Sequence, residues 1–195
     1  MRVLYFFFGI LRMKRSIMSK TKQDVFITNN SRETQKLAEN FVKRLKTGDV
    51  LALYGNLGSG KTTFVQGLAR GLGIKKRIIS PTFIIVRQYK VSPPRSPSPL
   101  RQGFAGRVGH LGGGEGIRPS TPARCNTFYH VDLYRIENQR EIEGLGLREI
   151  INDGKNIIAI EWAEKMKSLL PKKRWDVKFE DLGDSRRKIT INQEL

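Results

Sequence analysis

The chain has 195 residues, 38% of them hydrophobic, with 36 Lys and Arg against 18 Asp and Glu for a net charge of +18. That length suits one domain with a real core, and a mean hydropathy of −0.41 excludes a bundle of membrane spans. So positive a balance invites a polyanion, RNA above all, while the single cysteine, Cys125, excludes an internal disulfide and points to a reducing compartment.

The first apolar run, Val3 to Leu11, is too short to span a bilayer and has no cleavage site of a signal peptide. Residues 1–17 are therefore expected to be an extension outside the fold, upstream of a working start at Met18; a membrane-surface anchor is the alternative. Residues 18–195 then form one domain. From Asp24 a strand leads to Asn30 and Glu33, which have capping-box spacing, and Leu37, Ala38, Phe41, Val42 and Leu45 recur at helical spacing behind them. The apolar run Val50–Tyr54 reads as a strand buried on both faces. A Gly-rich loop follows, then a helix with Phe64, Val65, Leu68 and Leu72 on its apolar side.

Segments 80–90 and 126–136 both read as strands. The run between them, 91–125, holds six of the eight prolines and five arginines. Such a composition cannot bury enough apolar area to offset the entropy of ordering. It reads as a disordered insert at a hairpin tip, similar to translated repeat elements; an RNA-gripping loop is the functional alternative. Further on come two short helical turns broken by glycine (140–151), a second doubly buried strand (156–161), a helix stopped by Pro171, and a closing hairpin across Gly183 and Asp184. The fold class expected is α/β, a P-loop NTPase-like three-layer fold whose mixed central sheet includes an antiparallel hairpin and a C-terminal hairpin.

The strongest chemical signal is Gly55-Asn56-Leu57-Gly58-Ser59-Gly60-Lys61-Thr62, which matches G-x-x-x-x-G-K-[ST] between a buried strand and a helix. Glycines let backbone N–H groups turn inward on a phosphate, and the helix N-terminus adds positive potential. Lys61 is suited to the β- and γ-phosphates and Thr62 to Mg²⁺. Two acids are candidates for the metal side: Glu161, ending an apolar strand, and Asp132, on an alternating one. One would ligate Mg²⁺ directly or through water and the other orient the attacking water. Thr82 is either a switch-like γ-phosphate sensor or part of a plain turn. Trp162 is core or a ligand contact, and His130, two residues before Asp132 and on its side of the strand, reads as a satisfied structural histidine. Lys165, Lys167, Lys172, Lys173 and Arg174 are either a partner or tRNA surface or a solvated helix end. With one Cys and two His, no zinc site is visible, and without a guanine-reading motif adenine is the expected base.

Four segments in this order, the extended loop Gly55–Gly73, Ser80–Phe83, His130–Arg135 and Glu161–Glu164, resemble the bacterial TsaE (YjeE) family of tRNA threonylcarbamoyladenosine biosynthesis proteins. The resemblance covers about Asp24 to Trp175, apart from the interrupting run. It implies a compact P-loop α/β fold, binding of ATP and Mg²⁺, and weak ATP hydrolysis by the subunit alone. It also implies action in the cytoplasm with the TsaB–TsaD pair, which modifies an adenosine of tRNA. By this resemblance Asn56, Leu57, Gly58, Ser59, Gly60, Lys61, Thr62 and Thr63 surround the nucleotide with Trp162. Thr62, Glu161 and Asp132 stand at the metal, Lys61, Asp132 and Glu161 serve turnover, and Thr82 is switch-like. The register of the interrupted hairpin decides which way Asp132 faces. A small-molecule kinase and a nucleotide-switched RNA-binding module are the rival functions.

Overall fold

The computed structural model describes residues 3–5, 23–80, 85–91, 125–166 and 169–194. Most of 1–17, Thr82, Lys167 and the stretch 92–124 lie outside the described residues. Helix α1 (Ser31–Phe41) starts where the spacing places it. Asn30 Oδ1 accepts from the Glu33 N–H at 2.9 Å, and the Glu33 carboxylate accepts from Asn30 Nδ2 at 3.1 Å and from the Asn29 N–H at 2.9 Å. The Glu33 N–H, an orphan donor of the first turn, is thereby satisfied, and the Glu33 carboxylate ties the helix start to the residues before it. Leu37, Ala38 and Phe41 are buried, and Val42 continues the apolar face into a 3-10 turn over Val42–Arg44. Helix α2 (Lys61–Gly71) buries Phe64, Val65 and Leu68. Both helices cover one face of the sheet.

The strands are β1 (Val3–Tyr5), β2 (Asp24–Thr28), β3 (Val50–Tyr54), β4 (Val86–Lys90), β5 (Thr127–Asp132), β6 (Asn156–Glu161), β7 (Arg174–Asp181) and β8 (Arg187–Glu194), in the order β1-β2-β8-β7-β3-β6-β5-β4. Strand β3 runs parallel to β6 on one side and β7 on the other, and β5 is parallel to β6. Around this parallel core β4 pairs antiparallel with β5, β8 with β7 and β2 with β8. The mixed sheet expected from the sequence is thus present. Every residue of β6 is buried, as are the first four of β3, which is why these strands read as continuous apolar runs. Leu51, Leu53, Phe128 and Ile157 face the α1–α2 layer. Val50, Ala52, Val131, Ile158 and Ile160 face the other layer, to which α3 (Gln139–Glu143) and α4 (Leu147–Asn152) contribute Ile142 and Leu147.

The interrupted hairpin closes in register. Lys90 pairs with Thr127, and beyond that pair the Val91 N–H donates to the Asn126 carbonyl at 3.0 Å. The chain therefore leaves and re-enters the sheet at adjoining points. Two expectations fail. Val3–Tyr5 pairs in parallel with Val25–Ile27, so these three residues of the 1–17 extension belong to the sheet. The described residues 163–166 do not begin an α-helix but form a 3-10 turn at Ala163–Lys165. Trp162 takes left-handed backbone angles (φ 60) just ahead of it. The Lys165 ammonium is drawn away to the carbonyls of Tyr134 and Ile136, a tie an exposed helix would not supply. Arg174 is likewise engaged, with Asp176 at 2.7 Å and the Pro171 carbonyl at 3.0 Å. Of the proposed basic contact cluster, Lys172 and Lys173 are the described members that stay exposed. Among the described residues no helix is long and apolar enough to cross a membrane.

Candidate functional site

The C-terminal ends of β3, β5 and β6 open on one cavity of about 390 Å³. The loop after β3 forms one wall. Gly55 (φ 143) passes so close to β7 that a Cβ there would lie 2.6 Å from the Phe179 carbonyl oxygen, and Gly60 (φ 103) turns the chain into α2 in a left-handed conformation. Both positions need glycine, one for space and one for backbone angle. The loop therefore delivers Lys61 and Thr62 at the first turn of α2, where unpaired N–H groups and the helix dipole favour an anion.

Lys61 is only 4% exposed. Its ammonium donates to the carbonyls of Gly55 at 2.6 Å and Asn56 at 2.9 Å, and lies 4.0 Å from the centre of the Trp162 ring. Burial pulls its pKa below the ordinary lysine value, and the nearby charges of Glu161, Glu164 and Asp132 pull the other way. The Thr62 hydroxyl donates to Glu161 Oε2 at 2.9 Å. Glu161 Oε1 is 2.7 Å from His130 Nε2, both residues being almost fully buried. Asp132 is the neighbour of Glu161 across the β5–β6 ladder. Its Oδ2 accepts from the Ser80 hydroxyl at 2.5 Å and its Oδ1 from the Tyr134 N–H at 3.0 Å.

Two non-glycine residues with left-handed backbone adjoin these acids. Trp162 (φ 60) follows Glu161, and Ile85 (φ 65) accepts the Asp132 N–H on its carbonyl at 2.9 Å. Each conformation costs on the order of 1–3 kcal/mol, and such strain gathers where geometry matters more than stability.

The cavity thus brings together Lys61, Thr62, Asp132, Glu161 and Trp162, with Gly58, Gly60 and Thr63 along the loop wall and Leu57 at the rim. Asn56 and Ser59 do not line it. Asn56 offers its carbonyl to Lys61, and Ser59 is buried with its hydroxyl oxygen unpartnered among the described residues. Thr82 lies outside the described residues; from the same segment it is Ser80 that reaches the cavity. Sequence reasoning missed Tyr134, whose ring stands 5.2 Å from that of Trp162. It also missed Arg187, which reaches from β8 to pack on the Gly58–Gly60 turn. A strand pattern carries no sign of a contact from so distant a hairpin. His130 is held at Nε2 by one of the two acids, while its Nδ1 has no partner among the described residues, so it is not the satisfied histidine the sequence suggests.

The residues fit Mg²⁺. Adjacent ligands of an octahedral ion at about 2.1 Å lie about 3 Å apart, and the Thr62 and Glu161 oxygens already stand 2.9 Å from each other. Among the described residues no group of three His, Cys, Asp or Glu could hold a metal unaided. That suits an ion completed by phosphate and water rather than by a protein cage.

The sequence model of "Threonylcarbamoyl adenosine biosynthesis protein TsaE" matches residues 28–99 and 119–189. A tRNA threonylcarbamoyladenosine biosynthesis protein TsaE of Bacillus subtilis is 35% identical over 170 residues, covering 87% of this chain and 85% of its own. One of Rickettsia felis is 34% identical over 168 residues, 86% of this chain and 78% of its own. The crystal structure of Bacillus subtilis YdiB superimposes with a TM-score of 0.62 at 28% identity, over 91% of this chain and 90% of that one.

Proposed function

The chain belongs to the TsaE family, and from that membership we propose that it is the Mg²⁺-dependent, ATP-hydrolysing subunit of tRNA threonylcarbamoyladenosine formation, working in the cytoplasm with a TsaB–TsaD-type pair. One observation carries this reading. A glycine loop delivers Lys61 and Thr62 to the end of β3, and Glu161 and Asp132 meet them there from neighbouring parallel strands.

The loop N–H groups from Gly58 to Thr63 and the N-terminus of α2 bind the phosphates. The Lys61 ammonium exchanges its two carbonyl partners for phosphate oxygens, guided by the Trp162 face. Thr62 and Glu161 hold the metal, which when bound neutralises charge on the phosphates. Asp132, fixed by Ser80 and by the Tyr134 N–H, orients the attacking water and accepts its proton. The water oxygen bonds to the γ-phosphorus as the bond to the bridging oxygen breaks, giving ADP and phosphate. Such a slow subunit reaction suits a coupling role, in which hydrolysis resets the partner proteins.

The test is phosphate release from ATP with and without the TsaB–TsaD pair. Release stimulated by the pair, and abolished with ATP binding in Lys61→Ala, is the expected result. Normal ATP affinity in Lys61→Ala rejects the site. A nucleotide-switched RNA module has one observation in its favour. Lys75, Lys76 and Lys90 line a second cavity of about 490 Å³ that has no acidic side chain among its lining residues. It requires salt-sensitive tRNA affinity without any protein partner.

A further inference from the structure

We propose that His130 is a positioning residue for Glu161. Its ring N–H holds one carboxylate oxygen inside the sheet, so that the other alone is presented to Thr62 and the metal. This rests on the reading of Glu161 as a metal-side group of an ATPase.

The geometry follows from strand register. In the parallel ladder His130 stands opposite Ala159 and Asp132 opposite Glu161. Alanine leaves room over its own position, and the imidazole uses that room to reach the next carboxylate on the same face. The contact is 2.7 Å long, with His130 0% exposed. A carboxylate only accepts, so Nε2 carries the proton. Among the described residues Nδ1 has no partner, and a protonated Nδ1 would be a buried donor left unmade.

What this bond does is clear from the other oxygen. Glu161 Oε2 faces the Thr62 hydroxyl at 2.9 Å. A metal held by Thr62 and Glu161 would compete with the Thr62 hydroxyl for Oε2, and the His130 bond would then anchor the carboxylate through its other oxygen. Without it the group is free to rotate about its last torsion, to bind the metal with both oxygens or to turn toward the Lys61 ammonium. A partner that orients a ligand in this way supports metal affinity or activity by about 10- to 100-fold.

The test separates holding from packing. In His130→Gln the amide nitrogen occupies the place of Nε2, whereas in His130→Asn it occupies the place of Nδ1 and cannot reach Glu161. We expect His130→Gln to keep the hydrolysis rate. His130→Asn and His130→Leu should lose about 10- to 100-fold in kcat, with ATP affinity intact and the Mg²⁺ dependence moved to higher concentration. In a Glu161→Gln background His130→Leu should cost nothing further. Equal losses in all three variants, or a normal kcat in His130→Leu, overturn the proposal. A second measurement needs no variant and no nucleotide: long-range nitrogen–proton correlation spectra of the native chain, which has only two histidines. The Nε2–H pattern is expected for His130, and an Nδ1–H pattern overturns the proposal. A wild-type protein that hydrolyses no ATP, alone or with the TsaB–TsaD pair, refutes the ATPase reading and takes this proposal with it.

Discussion

Gly67 sits inside α2, where helix propensity alone favours alanine by about 0.5–1 kcal/mol. Packing opposes it. A Cβ built there would lie 2.2 Å from the Gln35 carbonyl oxygen, 2.7 Å from Ala38 Cβ and 2.8 Å from Gln35 Cα, against an ordinary contact of 3.4 Å or more. These neighbours are α1 backbone and a methyl group, so no flexible side chain can swing aside. Relief requires α1 and α2 to part by about 1 Å, which also loosens the Phe41–Phe64 contact beneath them. With overlaps against backbone as short as 2.2 Å this falls at the upper end of the about 1–3 kcal/mol that overpacking costs, so after a propensity gain of at most about 1 kcal/mol Gly67→Ala should lose about 2 kcal/mol. For a chain of this length that lowers the melting temperature by about 4–8 °C, measurable by urea and thermal unfolding followed by circular dichroism. Gly144→Ala is the control. Its backbone is right-handed (φ −70) and the nearest atom to an added Cβ is 3.5 Å away, so it should be neutral or stabilise by about 0.4–1 kcal/mol. A Gly67→Ala protein as stable as the native one, or a Gly144→Ala protein equally damaged, refutes the packing explanation.

Thr62→Ala should raise the Mg²⁺ concentration needed for hydrolysis by at least the ~10-fold that an outer-shell loss costs, whereas Thr62→Ser should restore it, because the hydroxyl and not the methyl meets Glu161. Tyr54 donates to Asp176 at 3.2 Å, and burial, with the Asp176 charge second, pushes its pKa from 10.0 up to about 12. The folded state holds this proton more tightly than the unfolded chain. Its stabilisation is therefore full below pH about 10 and lost as pH rises toward about 12. Tyr54→Phe should remove roughly 2 kcal/mol of alkaline sensitivity, after allowance for solvent at the partly exposed ring, as read from unfolding curves against pH. Replacing 92–124 by a two-residue turn should leave ATP hydrolysis unchanged and raise the melting temperature. By length alone, closing a 33-residue connection costs about 2.5 kcal/mol more than closing a two-residue turn. Loss of hydrolysis in the shortened chain refutes the view of the segment as dispensable.

Local rules carried most of the fold. Asn30 and Glu33 announced α1, the apolar runs announced β3 and β6, and the glycine loop between strand and helix placed Lys61 and Thr62. Glu161 and Asp132 were legible as strand-end acids. What joins them was not. The Thr62–Glu161 and His130–Glu161 contacts depend on which strands are neighbours and in which register, and no pattern within either strand states that. Residues 163–170 misled for a related reason. Their composition favours helix, but the left-handed Trp162 and the pull of two carbonyls on Lys165 are tertiary facts that override a propensity.

The interruption at 92–124 leaves Asp132 facing the cavity because β5 takes its register from β6. Six residue pairs, from Thr127 with Asn156 to Asp132 with Glu161, fix that parallel ladder, and β6 is itself held by β3. A slip of one residue would carry Phe128 and His130 to the opposite face and drive the Asp132 carboxylate into the apolar layer of Ile142 and Leu147. Burying a charge among hydrocarbon costs several kcal/mol, more than the about 2.5 kcal/mol of loop closure at stake at the hairpin tip. The two ends of β5 are also far apart. Five residue steps at about 3.3 Å separate Thr127, beside the interruption, from Asp132, about 17 Å away at the cavity. Chain length can therefore vary at one end of this strand while Asp132 is held at the cavity at the other, and the strand that enforces the separation is the one that carries Glu161.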